Sequence, residues 1–411
     1  MSQRTVITGG RLVTDTDEIR ADLVIDDDHV VAMLADAEGV DADEQIDARD
    51  LLILPGGIDA HYVAPWLQDG EQAETALADQ RAAAAGGVTT LIADAGRSID
   101  AEAAQAQLGS DVACWFPISG GAVPSAERLA RVAQAGVAGF SASVGAAGAT
   151  TASLSDADLL TLMRAAGTLP VPLSLAVMHP ELDAADPLAE IAAVVTALLF
   201  AEQTGAWVHF RHVSTAGSMQ QIVEARARQV RVTASVSPMH LVVPAGDADL
   251  AVSPPLRRQE EIDQLWAYVL DESVDCIASG TVAHEGAKVS DVQTAFSLFW
   301  DEAVTKRGMS RSQAVRQLAT NPAQMFGLAP RKGTIRVGSD ADLVLFDPEG
   351  AWTVRNGDML HAPRWSAFDG RSINGFVVRT LRRGRTIYDA ERHDDASVVE
   401  AGSGMVLTRA M

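Results

Sequence analysis

Between residues 88 and 277 the chain keeps returning to one pattern, a short unbroken apolar run followed by a longer Ala-rich stretch with apolar positions every three or four residues. Unbroken short runs suit strands buried on both faces, and the longer stretches suit helices packed over them. Strands are predicted at 88–93, 112–116, 138–141, 171–177, 208–212, 230–235 and 275–277, with helices at 71–86, 125–135, 155–166, 186–205, 216–228 and 258–271. Strand–helix alternation over this length predicts a parallel (β/α)8 barrel of the TIM type. The chain ends read differently, as short alternating runs broken by turn residues, at 5–7, 11–13, 21–25, 30–34 and 44–46, and again at 333–335, 341–346, 351–354, 375–379 and 386–388. The expected architecture is therefore a barrel over 53–330 with a small β-sandwich built from both termini, 1–52 and 331–400.

Charge and cysteine usage narrow the partners. A formal net charge of −23 over 411 residues argues against nucleic acid or an anionic membrane as a partner, because both need a basic face. Only Cys114 and Cys276 are present, far apart, which supports neither a disulfide framework nor a cysteine-based zinc site. The start, Met1 to Val6, lacks the pattern of a signal peptide, and the apolar run 191–201 is too short to span a bilayer. A cytoplasmic protein is expected.

The candidate chemistry begins at Pro55-Gly56-Gly57-Ile58-Asp59-Ala60-His61-Tyr62-Val63, where the apolar strand 51–54 runs into a Gly-rich turn and one histidine. This stretch resembles the first-strand signature of the cyclic amidohydrolases, the hydantoinase, dihydropyrimidinase, allantoinase and dihydroorotase families. The resemblance extends along essentially the whole chain. Asn321-Pro322-Ala323-Gln324-Met325-Phe326-Gly327-Leu328, followed by 330–344, is similar to the hydantoinase and dihydropyrimidinase pattern, with the asparagine and proline expected to end a helix. Ser253-Pro254-Pro255-Leu256-Arg257 is similar to a substrate-side loop of these families, and 82–90 to their second helix and strand.

The resemblance implies two divalent metals bridged by hydroxide, which lower the pKa of that water and polarise a cyclic amide carbonyl. His-x-His on strand one, a carboxylated lysine or an aspartate on strand four, histidines on strands five and six and an aspartate on strand eight would supply the ligands. His61, His179 and His212 match the first, the strand-five and the strand-six histidines. Val63 stands at the second strand-one position and has no ligand atom. Ser141 falls where the lysine would be, and the chain's lysines are Lys288, Lys306 and Lys332, all beyond that strand. Gly280 stands where the strand-eight aspartate is expected, so a metal ligand and a proton shuttle are both missing. His209, three residues before His212, is expected on the opposite face of its strand as a packing or surface residue.

A binuclear hydrolytic centre cannot be assembled from these residues. The cofactor expectation is none, or a single zinc on His61, His179 and His212 with an open position for water. Ser253, Arg257, His240 and His284 fall where substrate contacts would be, although His240 and His284 equally suit ordinary loop positions and Arg257 equally suits a loop-anchoring ion pair. Ser214-Thr215-Ala216-Gly217 opens a helix and reads either as an anion site or as an N-cap. Glu181 reads as a base or as a residue suited to a helix N-terminus. Two functions follow: a non-catalytic paralogue that keeps the fold for assembly, or an active hydrolase of a cyclic amide or related C–N bond with one metal. For partners, a homo-oligomer (dimer or tetramer) or a complex with an active enzyme is expected.

Overall fold

The computed structural model describes residues 3–63, 73–94, 108–145, 152–246, 250–395 and 399–410. Residues 71–72 of the first predicted helix and 146–147 beyond the strand-four segment lie outside them. The N-terminal strands are β1 (Arg4–Thr8), β2 (Arg11–Val13), β3 (Glu18–Arg20), β4 (Asp22–Asp26), β5 (His29–Leu34), β6 (Glu44–Asp47) and β7 (Leu52–Pro55). Eight parallel strands then pair in chain order: β8 (Gly57–Tyr62), β9 (Val88–Asp94), β10 (Asp111–Pro117), β11 (Gly139–Val144), β12 (Leu173–Val177), β13 (Val208–Phe210), β14 (Val232–Val236) and, after the short β15 (Ala251–Val252), β16 (Cys276–Ile277). They form the expected (β/α)8 barrel. A hairpin of β17 (Thr281–His284) and β18 (Ala287–Ser290) follows the last barrel strand and pairs with β15.

The chain then returns to the first sheets through β19 (Leu343–Thr353), β20 (Ser372–Arg382) and β21 (Arg385–Asp389). One sheet runs β5-β4-β1-β6 and the other β21-β20-β19-β7-β2-β3, so strands from both termini share a sheet. Ile7, Leu23, Ile25, Ile46, Ile53, Leu343 and Leu381 pack into one apolar cluster between them. The segment 399–410 carries β22 (Val406–Leu407), which pairs with the start of β10 at the floor of the barrel.

Alternation decides what the barrel interior contains. Along β11 to β14, Phe140, Ala142, Val144, Leu173, Leu175, Val177, Val208, Phe210, Val232, Ala234 and Val236 pack outward against helix residues such as Leu159, Leu162, Val194, Leu198, Met219 and Ile222. The intervening positions are Ser141, Ser143, Ser174, Ala176, His209, Thr233 and Ser235, so this half of the barrel turns a mostly polar row inward. The other half is apolar, with Ile58, Ala60, Ile92, Ala113, Trp115, Cys276 and Ala278 clustered around Phe326.

Several expectations shift. The Gly-rich stretch at 56–62 is no turn: Leu52–Pro55 belongs to a terminal sheet, and Gly57–Tyr62 is itself the first barrel strand. A side chain at Gly56 would collide with Thr89, so the glycine lets the chain change sheets at close quarters. Asn321-Pro322 does not end its helix. The helical run continues from Arg311 to Met325 through a π-turn at Arg316–Thr320, which loosens the turn before the proline, whose missing N–H would break a regular ladder. Residues 333–335 form no strand, and 341–346 and 351–354 are parts of one long β19. The apolar helix also extends to Pro187–Thr204, long and apolar enough by composition to cross a bilayer; here Ala189, Ala193, Val194, Ala197, Leu198 and Ala201 are buried in the fold.

Candidate functional site

Barrel sites form at the C-terminal ends of the strands, which places the candidate residues at the barrel mouth. The seam between the first and last strands is closed by a side chain. Asp59 of β8 accepts from the backbone N–H of Ser279 at 3.1 Å and from the Ser279 hydroxyl, and also from the N–H of His61 at 3.2 Å. Burial pushes the Asp59 carboxyl above its ordinary pKa against the pull of these donors.

Strand six supplies the largest surprise. His209 on β13 and Arg211 just past its end are two residues apart and both turn inward, and His212, the residue matching the metal ligand, follows one residue later. His212 is turned into the site by a left-handed backbone, φ 54°, an uncommon conformation for a residue other than glycine. His209 packs deep in the barrel rather than on its surface. It is fully buried, stacked on Trp115 with centroids 6.5 Å apart, edge-on to Phe326, with Nδ1 3.0 Å from the Thr233 hydroxyl.

The Arg211 guanidinium, 8% exposed, lies among acceptors from three strands. Its Nη1 donates to His61 Nδ1 at 3.3 Å, and its Nη2 to the Ala142 carbonyl and the Ser143 hydroxyl, both at 3.3 Å. Among the described residues its nearest carboxylate, Asp94 at the end of β9, stands 3.9 Å away. Arginine only donates, so His61 presents a lone pair at Nδ1 and is neutral. Burial holds His61 well below the usual imidazole range, and Arg211 and His212 push the same way. His212 is held down to about 3 by burial, then by His240 and Arg211. The two rings meet edge-on, 5.3 Å between centroids, and His212 Nε2 is buried without a hydrogen-bond partner.

Ser141 donates its hydroxyl to Asp94 Oδ1, so the strand-four position supports the aspartate. At strand eight, the Gly280 N–H donates to Asp291 Oδ1 at 2.6 Å. A Cβ on Gly280 would lie 2.7 Å from the Ser237 hydroxyl and 3.2 Å from Asp291 Oδ2. Asp291, from a different part of the chain, thus fills the space beside the glycine. Burial pushes its carboxyl up to about 8, overcoming the Gly280 hydrogen bond and aided by the nearby Asp59 charge.

The remaining candidates are committed to their own loops. His179 Nδ1 accepts from the backbone N–H of Glu181 at 3.3 Å, and Glu181 itself is exposed. His240 is buried and its Nε2 donates to the Pro254 carbonyl at 2.8 Å, tying strand seven to the Ser253 loop, while Ser253 is exposed. Arg257 donates to the Ser214 hydroxyl and the carbonyls of Ala184 and Ala185 at 2.9–3.1 Å, which makes it an anchor. The donors at Ser214 and Thr215 are taken by the chain's own anion, the buried Glu190 carboxylate. Thr215 also caps the helix that follows, accepting from Ser218. His284 stacks on Trp365, 4.1 Å between centroids.

Comparison with known proteins places this arrangement. A model of the amidohydrolase family matches residues 52–387. The chain belongs to the amidohydrolase family. It is 33% identical to an allantoinase of Rubrobacter xylanophilus, over 94% of each chain, and 28% identical to an allantoinase of Enterococcus faecalis, over 99% of this chain and 100% of that one. Among solved structures it resembles dihydropyrimidinase from Brevibacillus agri (TM-score 0.85, 25% identity, all of both chains). The fold is also that of L-hydantoinase from Arthrobacter aurescens (TM-score 0.90, 23% identity, all of both chains).

Among the described residues, the side chains at the mouth offer a pair of divalent ions few ligand atoms. Val63 and Gly280 offer no ligand atom, and the Ser141 hydroxyl is spent on Asp94. A dication held about 4 Å from the Arg211 guanidinium would be repelled by about 8 kcal/mol at an effective dielectric constant near 20. Among the described residues, the one group of three acidic, imidazole or thiol side chains with ligand atoms within 4.8 Å of one another is Asp111, Asp340 and Asp342, so His61, His179 and His212 are not gathered into one ligand set. That acidic nest holds Lys332 Nζ, at 2.6, 2.9 and 2.7 Å. Sequence reasoning missed Arg211, Asp94 and Asp291. Arg211 had a readable signal, its two-residue spacing from His209; Asp94 had one too, as a carboxylate at the C-terminal end of a barrel strand.

Proposed function

We propose that this chain is an allantoinase- and hydantoinase-like cyclic amidohydrolase in fold that has given up binuclear metal chemistry, a non-catalytic paralogue with a structural or assembly role. The observation that carries the reading is Arg211, a buried cation hydrogen-bonded to His61, the residue that matches the first metal ligand. Nucleophile generation, carbonyl polarisation and leaving-group protonation each lose a named group, at Val63, Ser141 and Gly280, and such losses compound when each step needs its own group. The scaffold is kept while the chemistry is thinned, which supports a role for the surface, as a homo-oligomer or in complex with an active enzyme.

A second reading, a hydrolase with one metal, draws on a specific feature: His212 Nε2 is buried and has no hydrogen-bond partner. Assays with hydantoin, dihydrouracil, allantoin and dihydroorotate, with and without added zinc, separate the two. No saturable turnover is expected. Turnover of any one of them that is abolished by His179→Ala would replace the first reading with the second. Assembly is tested by light scattering at micromolar concentration and by recovery of partners from native extract. A monomer with no partner would remove the assembly role.

A further inference from the structure

The helix Pro187–Thr204 carries more apolar surface than the barrel covers. Only 39% of its 18 residues are buried in the fold. Leu188 is 55% exposed, Val195 43% and Leu199 55%, and half-buried Ala192 completes the row. Positions 188, 192, 195 and 199 share one face of a helix, so the four side chains form a single stripe. From Ile191 to Ala201 the sequence has no charged residue, on a chain whose net charge is −23. The stripe is about 17 Å long and about 10 Å wide, roughly 200 Å². It therefore suits the centre of a contact, with the flanking helices Asp156–Ala166 and Ala216–Ala227 supplying the remainder of the about 600–1,000 Å² that each partner gives to a stable interface.

We propose that this stripe pairs with the same stripe of a second copy of the chain, the two helices running antiparallel about a twofold axis. The pairing rests on the assembly role proposed above and gives it a partner and a contact. From 188 to 199 the steps are four, three and four residues, a row that reads the same in both directions. A twofold contact requires that property, because residue i meets j wherever j meets i. Leu188 then meets the partner's Leu199, and Ala192 meets the partner's Val195, a small side chain against a branched one, which lets the helices approach closely. Charge selects the same arrangement. Copies with a large like charge repel, and an uncharged stripe is where they can touch at least cost. Asp183 and Asp186 precede the helix, while Arg228 lies beside its last turn, 3.4 Å from Glu202. Antiparallel pairing brings the Arg228 end of one helix to the acidic end of its partner and sets the helix dipoles in opposition.

The experiment is sedimentation equilibrium on the full chain as wild type, Leu188→Lys, Leu199→Glu and the double variant carrying both changes. The wild type should be a dimer. Each single substitution sets a charge against leucine at two symmetry-related places and should raise the dissociation constant about a hundredfold or more. Both positions are exposed, so circular dichroism spectra should match the wild type and separate a lost contact from a lost fold. The double variant should dimerise again, because each lysine meets the partner's glutamate, and so should an equimolar mixture of the two single variants. A wild-type monomer would overturn the pairing. A dimer that both single variants keep would overturn it too, placing the interface on another face while the assembly role stands. Loss of the dimer without recovery in the double variant would rule out this antiparallel contact. A monomer that binds phosphatidylcholine vesicles, or an active amidohydrolase, and stops doing so with Leu199→Glu would give the stripe a different occupant and refute the second copy. Turnover of a cyclic amide by the wild type would defeat the non-catalytic reading and leave the contact untouched, a separable failure.

Discussion

Lys332 at the floor of the barrel and Arg211 at its mouth are both buried cations, yet their surroundings differ in kind. Lys332 touches three carboxylates at 2.6–2.9 Å, and Arg382, Arg383 and Arg331 close around the same aspartates. Asp111 in this nest also receives the Met405 N–H, while Arg382 and Arg383 donate to Ser403, so the nest fastens β22 and the chain end to the barrel. Burial works against the ionised carboxylate, but Lys332, Arg382 and Arg383 together hold Asp111 below its ordinary pKa. Among the described residues, Arg211 has one carboxylate, at 3.9 Å, and otherwise only neutral acceptors. The difference separates a cation held by full opposite charges from one held mainly by neutral lone pairs. Full charges at contact distance hold Lys332, whereas longer contacts to lone pairs hold Arg211.

The largest effect is expected at the floor. Lys332→Met leaves buried carboxylates without their central partner and should cost about 3–5 kcal/mol, the usual penalty for breaking one side of a buried ion pair. Urea unfolding measures it, and a loss below about 1 kcal/mol would erase the distinction between the two cations. At the mouth, Asp94→Asn keeps the shape and removes the one nearby charge. A smaller loss of about 1–3 kcal/mol is expected, the cost of unsatisfying a buried polar contact. If Asp94→Asn proves as damaging as Lys332→Met, the mouth is as tightly built as the floor.

A further predicted difference lies in pH dependence. Asp291 holds its proton more tightly folded, at about 8, than unfolded, so its contribution is lost as pH rises from about 4 to about 8. His209 and His212, held near 3, act in the opposite sense, losing stability as pH falls from about 6.5 towards 3. Above about 6.5 the Asp291 slope stands without these two, at about 1.4 kcal/mol per pH unit. Asp291→Asn should flatten the decline in stability between pH 6.5 and 8. An unchanged slope would show that the Asp291 carboxyl is already ionised at neutral pH.

The barrel was legible because buried strands and amphipathic helices differ in period, and most predicted elements fall within a few residues of their observed bounds. The hydrophobic pattern alone shows no strand at 57–62, because Gly57–Tyr62 lacks a β-branched run and its glycines read as a turn; only the resemblance puts His61 on strand one. Strand six was drawn two residues too long, and the alternation counted from His212 sent His209 to the wrong face; counted from His209, the same rule puts Arg211 inside. Other relations had no local signal. Asp291 reaches Gly280 only because a hairpin brings a helix start back to the strand end, and Glu190 meets Ser214 across a whole helix–strand unit. The floor was equally hidden, since the Asp111–Lys332 contact joins residues brought together only by the closed fold.

The most direct measurement is the zinc stoichiometry of the wild-type protein after incubation with excess zinc and desalting. With Arg211 in place, no zinc above trace should remain at the mouth. One or two equivalents retained per chain, and lost on replacing His61 or His212 with alanine, would contradict the metal-free reading.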